Sequence, residues 1–301
     1  MKKQLLLLVM MLLPMAGYAQ KRLVSIAEDY NGKVKYGFIE YDDQGRVNKY
    51  TIQYADGNMD VCDITYTGSE AINIKYIGSD YEENFAYTIS DGKIQTAGIF
   101  FDGFSNSTLT YTGNKLTHIE NGGVTGELTW DGDNPSEWYY YAGSKEEEHT
   151  VLTFNNISTH PVIHAIWGFF TTYTPGVGDF FEPLVLYPYY GDIPKGLVET
   201  QIFTEGGTKT YNYTYTYDTN DDGDIVKVTR LNTGNNKPRI FMLDWEGSTG
   251  IVTLHSSTPQ VQRYYDLQGR PVSQPSKGLY IKNGKKYLVK QQTKISHRAL
   301  S

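Results

Sequence analysis

Tyr50-Thr51-Ile52-Gln53-Tyr54-Ala55-Asp56-Gly57-Asn58-Met59-Asp60-Val61-Cys62-Asp63-Ile64-Thr65-Tyr66-Thr67-Gly68-Ser69 decides the fold. Tyr50, Ile52 and Tyr54 alternate with polar Thr51 and Gln53, so one face is apolar and the other wet. Asp56-Gly57 and Thr67-Gly68-Ser69 are turn signals, and the residues between them read as the returning strand. The same punctuation recurs about every 9–14 residues from Asp42-Asp43-Gln44-Gly45 through Asp91-Gly92 and Gly113-Asn114 to Asp131-Gly132. Such spacing means consecutive hairpins. The chain therefore reads as mainly all-β: a curled antiparallel meander or barrel-like sheet, with about nine or ten strands before residue 150 and three to five more between 199 and 254.

The pattern extends outward in both directions. Val34, Tyr36 and Phe38 share one face, as do Ile72, Ile74 and Tyr76. Tyr211, Tyr213, Tyr215 and Tyr217 alternate with Asn212, Thr214 and Thr216. The rhythm breaks over residues 145–198. There Thr159-His160-Pro161 precedes the apolar run Val162–Phe170, which predicts one inserted short, buried helix. Residues 174–196 hold four prolines and four glycines and read as a long irregular excursion, the kind of segment that often carries function.

The ends bound the location. Lys2-Lys3, the apolar run Leu5–Met15 and Gly17-Tyr18-Ala19 read as a secretory signal cleaved after Ala19, with no transmembrane helix expected after cleavage. The expected organisation is signal peptide 1–19, β-meander domain 20–254, small C-terminal β module 255–290 and tail 291–301. The expected destination is the periplasm, cell surface or extracellular space. Without residues 1–19 the chain carries 25 basic and 34 acidic side chains, a net of −9. That balance excludes nucleic acid as a partner, because phosphate binding needs a basic stripe. Cys62 is the single cysteine, so no intrachain disulfide forms, and its strand position predicts a buried, inert thiol.

Two stretches carry resemblances. Tyr41-Asp42-Asp43-Gln44-Gly45-Arg46-Val47, His160-Pro161-Val162-Ile163 and Tyr213–Asp218 leading into Gly223–Val228 resemble a secreted Bacteroidetes family of unknown function described as having a porin-like fold, over about residues 23–245. The resemblance implies a meander that curls and brings no catalytic residues. At the C-terminus, Tyr264–Val272 followed by Lys277–Lys290 resembles tail modules of exported Bacteroidetes proteins, including type IX sorting domains. The same residues also read as a small β unit docked on the main domain.

Candidate chemistry is sparse. Asp218, Asn220, Asp222, Gly223 and Asp224 match the first half of a calcium loop, with oxygen ligands at alternate positions and Gly at the sixth. Thr229 stands where the bidentate Glu belongs, so calcium is the one cofactor the pattern admits and a tight site is not expected. His160 and His164 have metal-ligand spacing but no third ligand nearby; a cap and a buried histidine are the plainer roles. Glu137, Glu182 and Glu199 are carboxylates that a glycosidase could use. No nucleophile elbow, Walker loop or dinucleotide fingerprint occurs. Aromatics make up 14% of the chain, enough to supply stacking surfaces. Trp138, Tyr139, Trp167, Tyr173, Tyr189 and Tyr190 are the stacking candidates. In Trp138-Tyr139-Tyr140-Tyr141 alternate side chains must point inward. The leading expectation is a non-enzymatic binding or surface-associated module for a glycan or peptide. A secreted glycan-active hydrolase is the first alternative and an outer-membrane barrel the second.

Overall fold

The computed structural model describes residues 21–79, 81–99, 105–169 and 176–247, and the backbone of four short strands beyond them. The signal segment 1–19 and Tyr173 lie outside the described residues. The chain divides into two compact units, residues 1–255 and 256–301.

In the first unit sixteen antiparallel strands form a closed barrel. They run from β1 (Leu23–Tyr30), β2 (Lys33–Tyr41), β3 (Val47–Gln53), β4 (Met59–Thr67), β5 (Ala71–Ile77) and β6 (Glu82–Ser90) through β7 (Lys93–Ile99), β8 (Ser105–Thr112), β9 (Lys115–Asn121) and β10 (Val124–Asp131). The wall continues with β11 (Asn134–Ala142), β12 (Lys145–Phe154), β13 (Val198–Glu205), β14 (Lys209–Thr219), β15 (Ile225–Asn232) and β16 (Lys237–Trp245). Each strand pairs with its sequence neighbours, and β16 closes the ring on β1, with Ala27 opposite Met242. The meander expected from the turn spacing thus closes completely. Tight turns such as Asn31-Gly32 and Asp91-Gly92 place both central residues at positive φ, the twist-matched form for two-residue hairpins.

One device repeats around the wall. An aromatic ring near the end of a returning strand turns inward and bonds back across its hairpin. Tyr41 Oη donates to Leu23 O at 2.8 Å, Tyr66 Oη to Val47 O at 2.8 Å and Tyr217 Oη to Val198 O at 2.7 Å. Trp130 Nε1 donates to Leu116 O and Trp245 Nε1 to Ile225 O, both at 2.8 Å. Register shifts fall immediately before Tyr41, Tyr111, Trp130 and Phe154, and such bulges re-aim the next side chain. The wall is a series of similar hairpin units, each stapled at the same end.

A ring of sixteen strands is too wide for its own side chains to fill. The described residues of the segment 155–197, between β12 and β13, supply the filling. They hold α1 (Pro161–Phe169), a 3-10 turn (Val177–Phe180), α2 (Phe181–Leu186) and a second 3-10 turn (Tyr187–Tyr189). The single helix expected from the sequence is α1; α2 is additional. Ile163, Trp167, Phe169, Phe180, Leu184 and Leu186 are buried against inward wall residues such as Ile26, Ile52, Ile74 and Phe241. Trp167 is the hub, with ring centroids 5.5 Å from Phe180, 5.1 Å from Phe241 and 6.2 Å from Tyr215. The plug is also pinned by its backbone. Val177 N–H donates to Glu28 Oε2 at 2.6 Å, and Val177 O accepts from Tyr50 Oη at 2.5 Å. Asn134 Oδ1 accepts the N–H groups of Lys195 and Gly196 at 2.9 and 2.8 Å, tying the return path to the rim.

The outer face is polar over most of its circumference. Thr88, Thr96, Thr108 and Glu120 stand side by side on successive strands, as do Thr153, Thr200 and Thr214. Val34, Tyr36 and Phe38 share a face as expected, and that face points outward, because Gly37 and Ile39 pair with the inward Ile52 and Tyr50. With Ala27 and Met242 these residues form an apolar patch on one side. Among the described residues it does not extend into the continuous band that a lipid-facing barrel wall presents. No helix of the described residues is long and apolar enough to cross a membrane.

The second unit contains a four-stranded antiparallel sheet of β17 (Tyr264–Tyr265), β18 (Pro271–Val272), β19 (Gly278–Lys282) and β20 (Lys285–Val289), in the order β18-β17-β19-β20.

Candidate functional site

The plug enters and leaves at one end of the barrel, where β12 ends and β13 begins. The lumen therefore divides into a helix-side end and an opposite end, and each has a cavity.

The opposite-end cavity has a volume of about 300 Å³ and lies between the plug and the strands β2 to β6. Alternation carries Lys35, Tyr54, Tyr76, Glu83 and Phe85 inward from the wall, and Asp179 and Phe181 rise from the plug. Its aromatic wall is rigid. Asp60 Oδ2, on β4, accepts the hydroxyls of Tyr54 and Tyr76, both at 2.6 Å. Tyr81 stacks on Tyr76 at 5.4 Å and is half exposed at the mouth. Lys35 Nζ lies 5.5 Å from the Tyr54 ring centroid, a cation–π distance. Burial pushes the Asp179 carboxyl up, and the neighbouring Glu28 adds to this. The Gly176 N–H, donating to Asp179 Oδ2 at 2.9 Å, opposes both. A carboxyl, a lysine and fixed tyrosine rings in one concave site can orient a polar, ring-bearing ligand.

Beside it the lumen wall carries a buried charge group. Arg239 Nε lies 3.0 Å from Glu28 Oε1, an ion pair whose two side chains are largely buried. Arg230 is 4% exposed, reaches Gln201 Oε1 at 3.4 Å, and sits 3.5 Å over the Tyr213 ring. Burial pushes the Tyr215 hydroxyl up to about 12, against the opposing charge of Arg230.

The helix-side cavity has a volume of about 190 Å³. Arg22, Tyr41, Arg46 and Tyr66 line it from the rim, and His160, Leu184, Tyr187 and Tyr189 from the plug. His160 Nδ1 accepts Val162 N–H at 3.1 Å and so caps α1; burial pulls its pKa down to about 4. His164 Nε2 accepts Thr159 N–H at 3.1 Å, and burial lowers its pKa too. Both histidines act as acceptors of backbone N–H bonds, the structural roles the sequence suggested.

The stacking candidates separate. Trp138, Trp167 and Tyr190 are buried in the core and offer no ring face to a ligand. Tyr139 is on the outer wall, sandwiched between His149 at 4.2 Å and Tyr141 at 6.1 Å. Its hydroxyl bonds Glu137, which also contacts His149 Nε2 at 3.0 Å. Among the five candidates that lie in the described residues, Tyr189 lines a cavity. The carboxylates Glu137, Glu182 and Glu199 are not brought together: the first is on the outer wall, the second buried in α2, the third exposed on β13. Alternation pairs Tyr54 with Ile52 and Tyr76 with Ile74, so the inward cavity tyrosines were within reach of sequence reasoning. Their shared partner Asp60 was not.

The acidic loop is closed on itself. Asn220 Oδ1 accepts the N–H groups of Asp222 and Asp224. Lys21 Nζ lies 2.5 Å from Asp222 Oδ2 and 2.7 Å from Asp224 Oδ2, and Lys227 pairs with Asp218 at 2.8 Å. Lys21 and Lys227 thus pair with three of the carboxylates that the calcium reading would use. Among the described residues no group of three or more His, Cys, Asp or Glu is placed to hold a metal ion.

No protein-family model and no curated protein matches this chain. Solved structures similar in fold include two porin-like proteins. A porin-like protein from Bacteroides vulgatus ATCC 8482 aligns with a TM-score of 0.55 at 16% identity, covering 76% of this chain and 100% of that one. A porin-like protein from Bacteroides uniformis ATCC 8492 aligns at 0.53 and 13% identity, covering 74% and 98%. The likeness is one of fold: this chain has the closed barrel of a porin-like protein.

Proposed function

We propose that this chain is an exported binding barrel that holds its ligand in the opposite-end cavity without turning it over. The observation that carries the reading is the pairing of a blocked lumen with a lined cavity. Apolar residues of the plug fill the helix-side half, while the other half presents Tyr54, Tyr76, Tyr81, Lys35 and Asp179 around about 300 Å³. A wall with a polar outside and a filled inside suits a water-bathed vessel better than a pore, for which 16-stranded barrels keep an open channel and a lipid-facing band. The ligand class is a glycan or peptide, because fixed tyrosine faces with a few charges recognise sugar rings and aromatic side chains alike. The signal-like N-terminus, and the resemblances to a secreted Bacteroidetes family and to sorting tails, support export to the periplasm, cell surface or medium.

The hydrolase remains the second reading on one observation: Asp179, with its carboxyl pushed up by burial, shares the cavity with Glu83. A glycan and peptide array combined with a hydrolysis screen separates the two. Binding that is lost in Tyr81→Ala, with no product released, is the expected result. Product release abolished by Asp179→Asn would replace binding with catalysis. Ion conductance through a planar bilayer would overturn both.

A further inference from the structure

We infer that the helix-side cavity is a second, separate site, built for the anionic group of an acidic saccharide. Its charge is the first reason. The lining carries two guanidinium groups, Arg22 and Arg46, and no carboxylate, on a chain whose acidic side chains outnumber its basic ones by 34 to 27. Arg22 is weakly committed: its nearest carboxylate oxygen, on Glu246, is 3.9 Å away, and its side chain is 42% exposed. Arg46 is held by Asp42 at 2.7 Å and lies 4.0 Å over the Tyr66 ring, so it is fixed in place.

Free donors are the second reason. Tyr41 and Tyr66 spend their hydroxyls on backbone carbonyls. The hydroxyls of Tyr187 and Tyr189, on the plug side of the same cavity, have no hydrogen-bond partner among the described residues. Two phenol O–H groups and one loosely held guanidinium thus line one cavity of about 190 Å³, the volume of about six water molecules. Carboxylate and sulfate oxygens match a guanidinium fork and phenol donors.

A saccharide fits better than a peptide. A closed barrel has no free strand edge, so an extended peptide cannot add to the wall by main-chain pairing. A single acidic sugar ring needs only a short cavity, charge-assisted hydrogen bonds and aromatic walls, and those are present.

The test uses the full chain and two probes, an oligogalacturonate and a sulfated chondroitin oligosaccharide, titrated calorimetrically at 50 and 300 mM NaCl. At least one probe should bind, weakening several-fold at the higher salt. Arg22→Gln should weaken it at least tenfold, and Tyr189→Phe by a smaller factor. Lys209→Gln, at an exposed lysine that lines neither cavity, should leave it unchanged. Arg22 is at the barrel rim and its backbone O still accepts Glu246 N–H, so the variant keeps the fold. Which probe binds assigns the anion to carboxylate or sulfate. Failure of both probes, or binding indifferent to Arg22→Gln, overturns the proposal. Sensitivity to Lys35→Gln alone moves the anion to the opposite-end cavity and overturns it equally.

Discussion

Truncating Trp167 to alanine tests whether the insertion is the core of the barrel or a passenger inside it. The indole is 1% exposed and packed edge-on or tilted against Phe180, Phe241 and Tyr215, two wall strands and one plug turn. A buried Trp removes about 150–250 Å² from water, worth about 4–6 kcal/mol at 25 cal/mol per Å². Measured Trp-to-Ala costs in cores run about 3–5 kcal/mol, since the site relaxes only in part. The expected loss is therefore about 4 kcal/mol, a fall of about 1–2 M in the urea midpoint. Far-UV circular dichroism would follow the wall, and hydrogen exchange resolved to α1 and α2 would follow the plug. Tyr139→Ala is the control, because that ring lies on the outer wall and should cost less than 1 kcal/mol. A Trp167→Ala loss below 1 kcal/mol, or equal losses for the two variants, would refute the inside–outside assignment.

Three further outcomes follow from individual residues. His160 and His164 accept backbone N–H bonds and are held neutral, so the unfolded chain binds protons more readily below its ordinary histidine pKa of about 6.5. Stability should be full above that pH and fall as pH drops toward about 4; His160 alone should account for about 1–2 kcal/mol after allowing for solvent screening, and His160→Asn should flatten this limb in pH-dependent urea titrations. A Cβ at Gly126 would overlap the Trp138 ring, so Gly126→Val should cost about 1–3 kcal/mol and alter the near-UV spectrum; an unchanged spectrum would contradict the packing. Because Lys21 neutralises Asp222 and Asp224, millimolar calcium should not shift the melting temperature; micromolar calcium binding abolished by Asp222→Ala would show that the ammonium is displaced.

The wall was legible because its signals are local. Asp-Gly and Asn-Gly pairs fix hairpins within a few residues, and alternation assigns faces without knowledge of the partner strand. Closure was not legible: β1 meets β16 across the whole chain, and nothing in Ser25–Tyr30 names Arg239–Asp244 as its partner. The stapling aromatics were visible as letters, yet Tyr41 and Leu23, or Trp245 and Ile225, are related only once the strands pair. The insertion misled for a physical reason. Prolines and glycines usually mark surface loops, but a wide barrel has a lumen to fill, and Leu184, Leu186 and Tyr190 went inside. Cavity residues such as Lys35 and Asp179 come from opposite halves of the sequence and share no motif.

Closing the ring also limits what the protein can do. An open meander would expose two strand edges, each a template for another chain. Here β1 and β16 satisfy one another, and the described wall offers no backbone groups for strand addition. The apolar plug residues Ile163, Trp167, Phe180 and Leu184 are buried within the lumen as well. What remains is the two end cavities, the outward patch around Phe38, and the C-terminal sheet, whose β18 and β20 are edge strands. The cavities differ in kind. One joins tyrosine rings to carboxyl groups and a lysine, while the other joins tyrosine hydroxyls to arginines alone. On the proposed reading, the two ends differ in charge character and lie on either side of the plug, so the two sites can be altered independently.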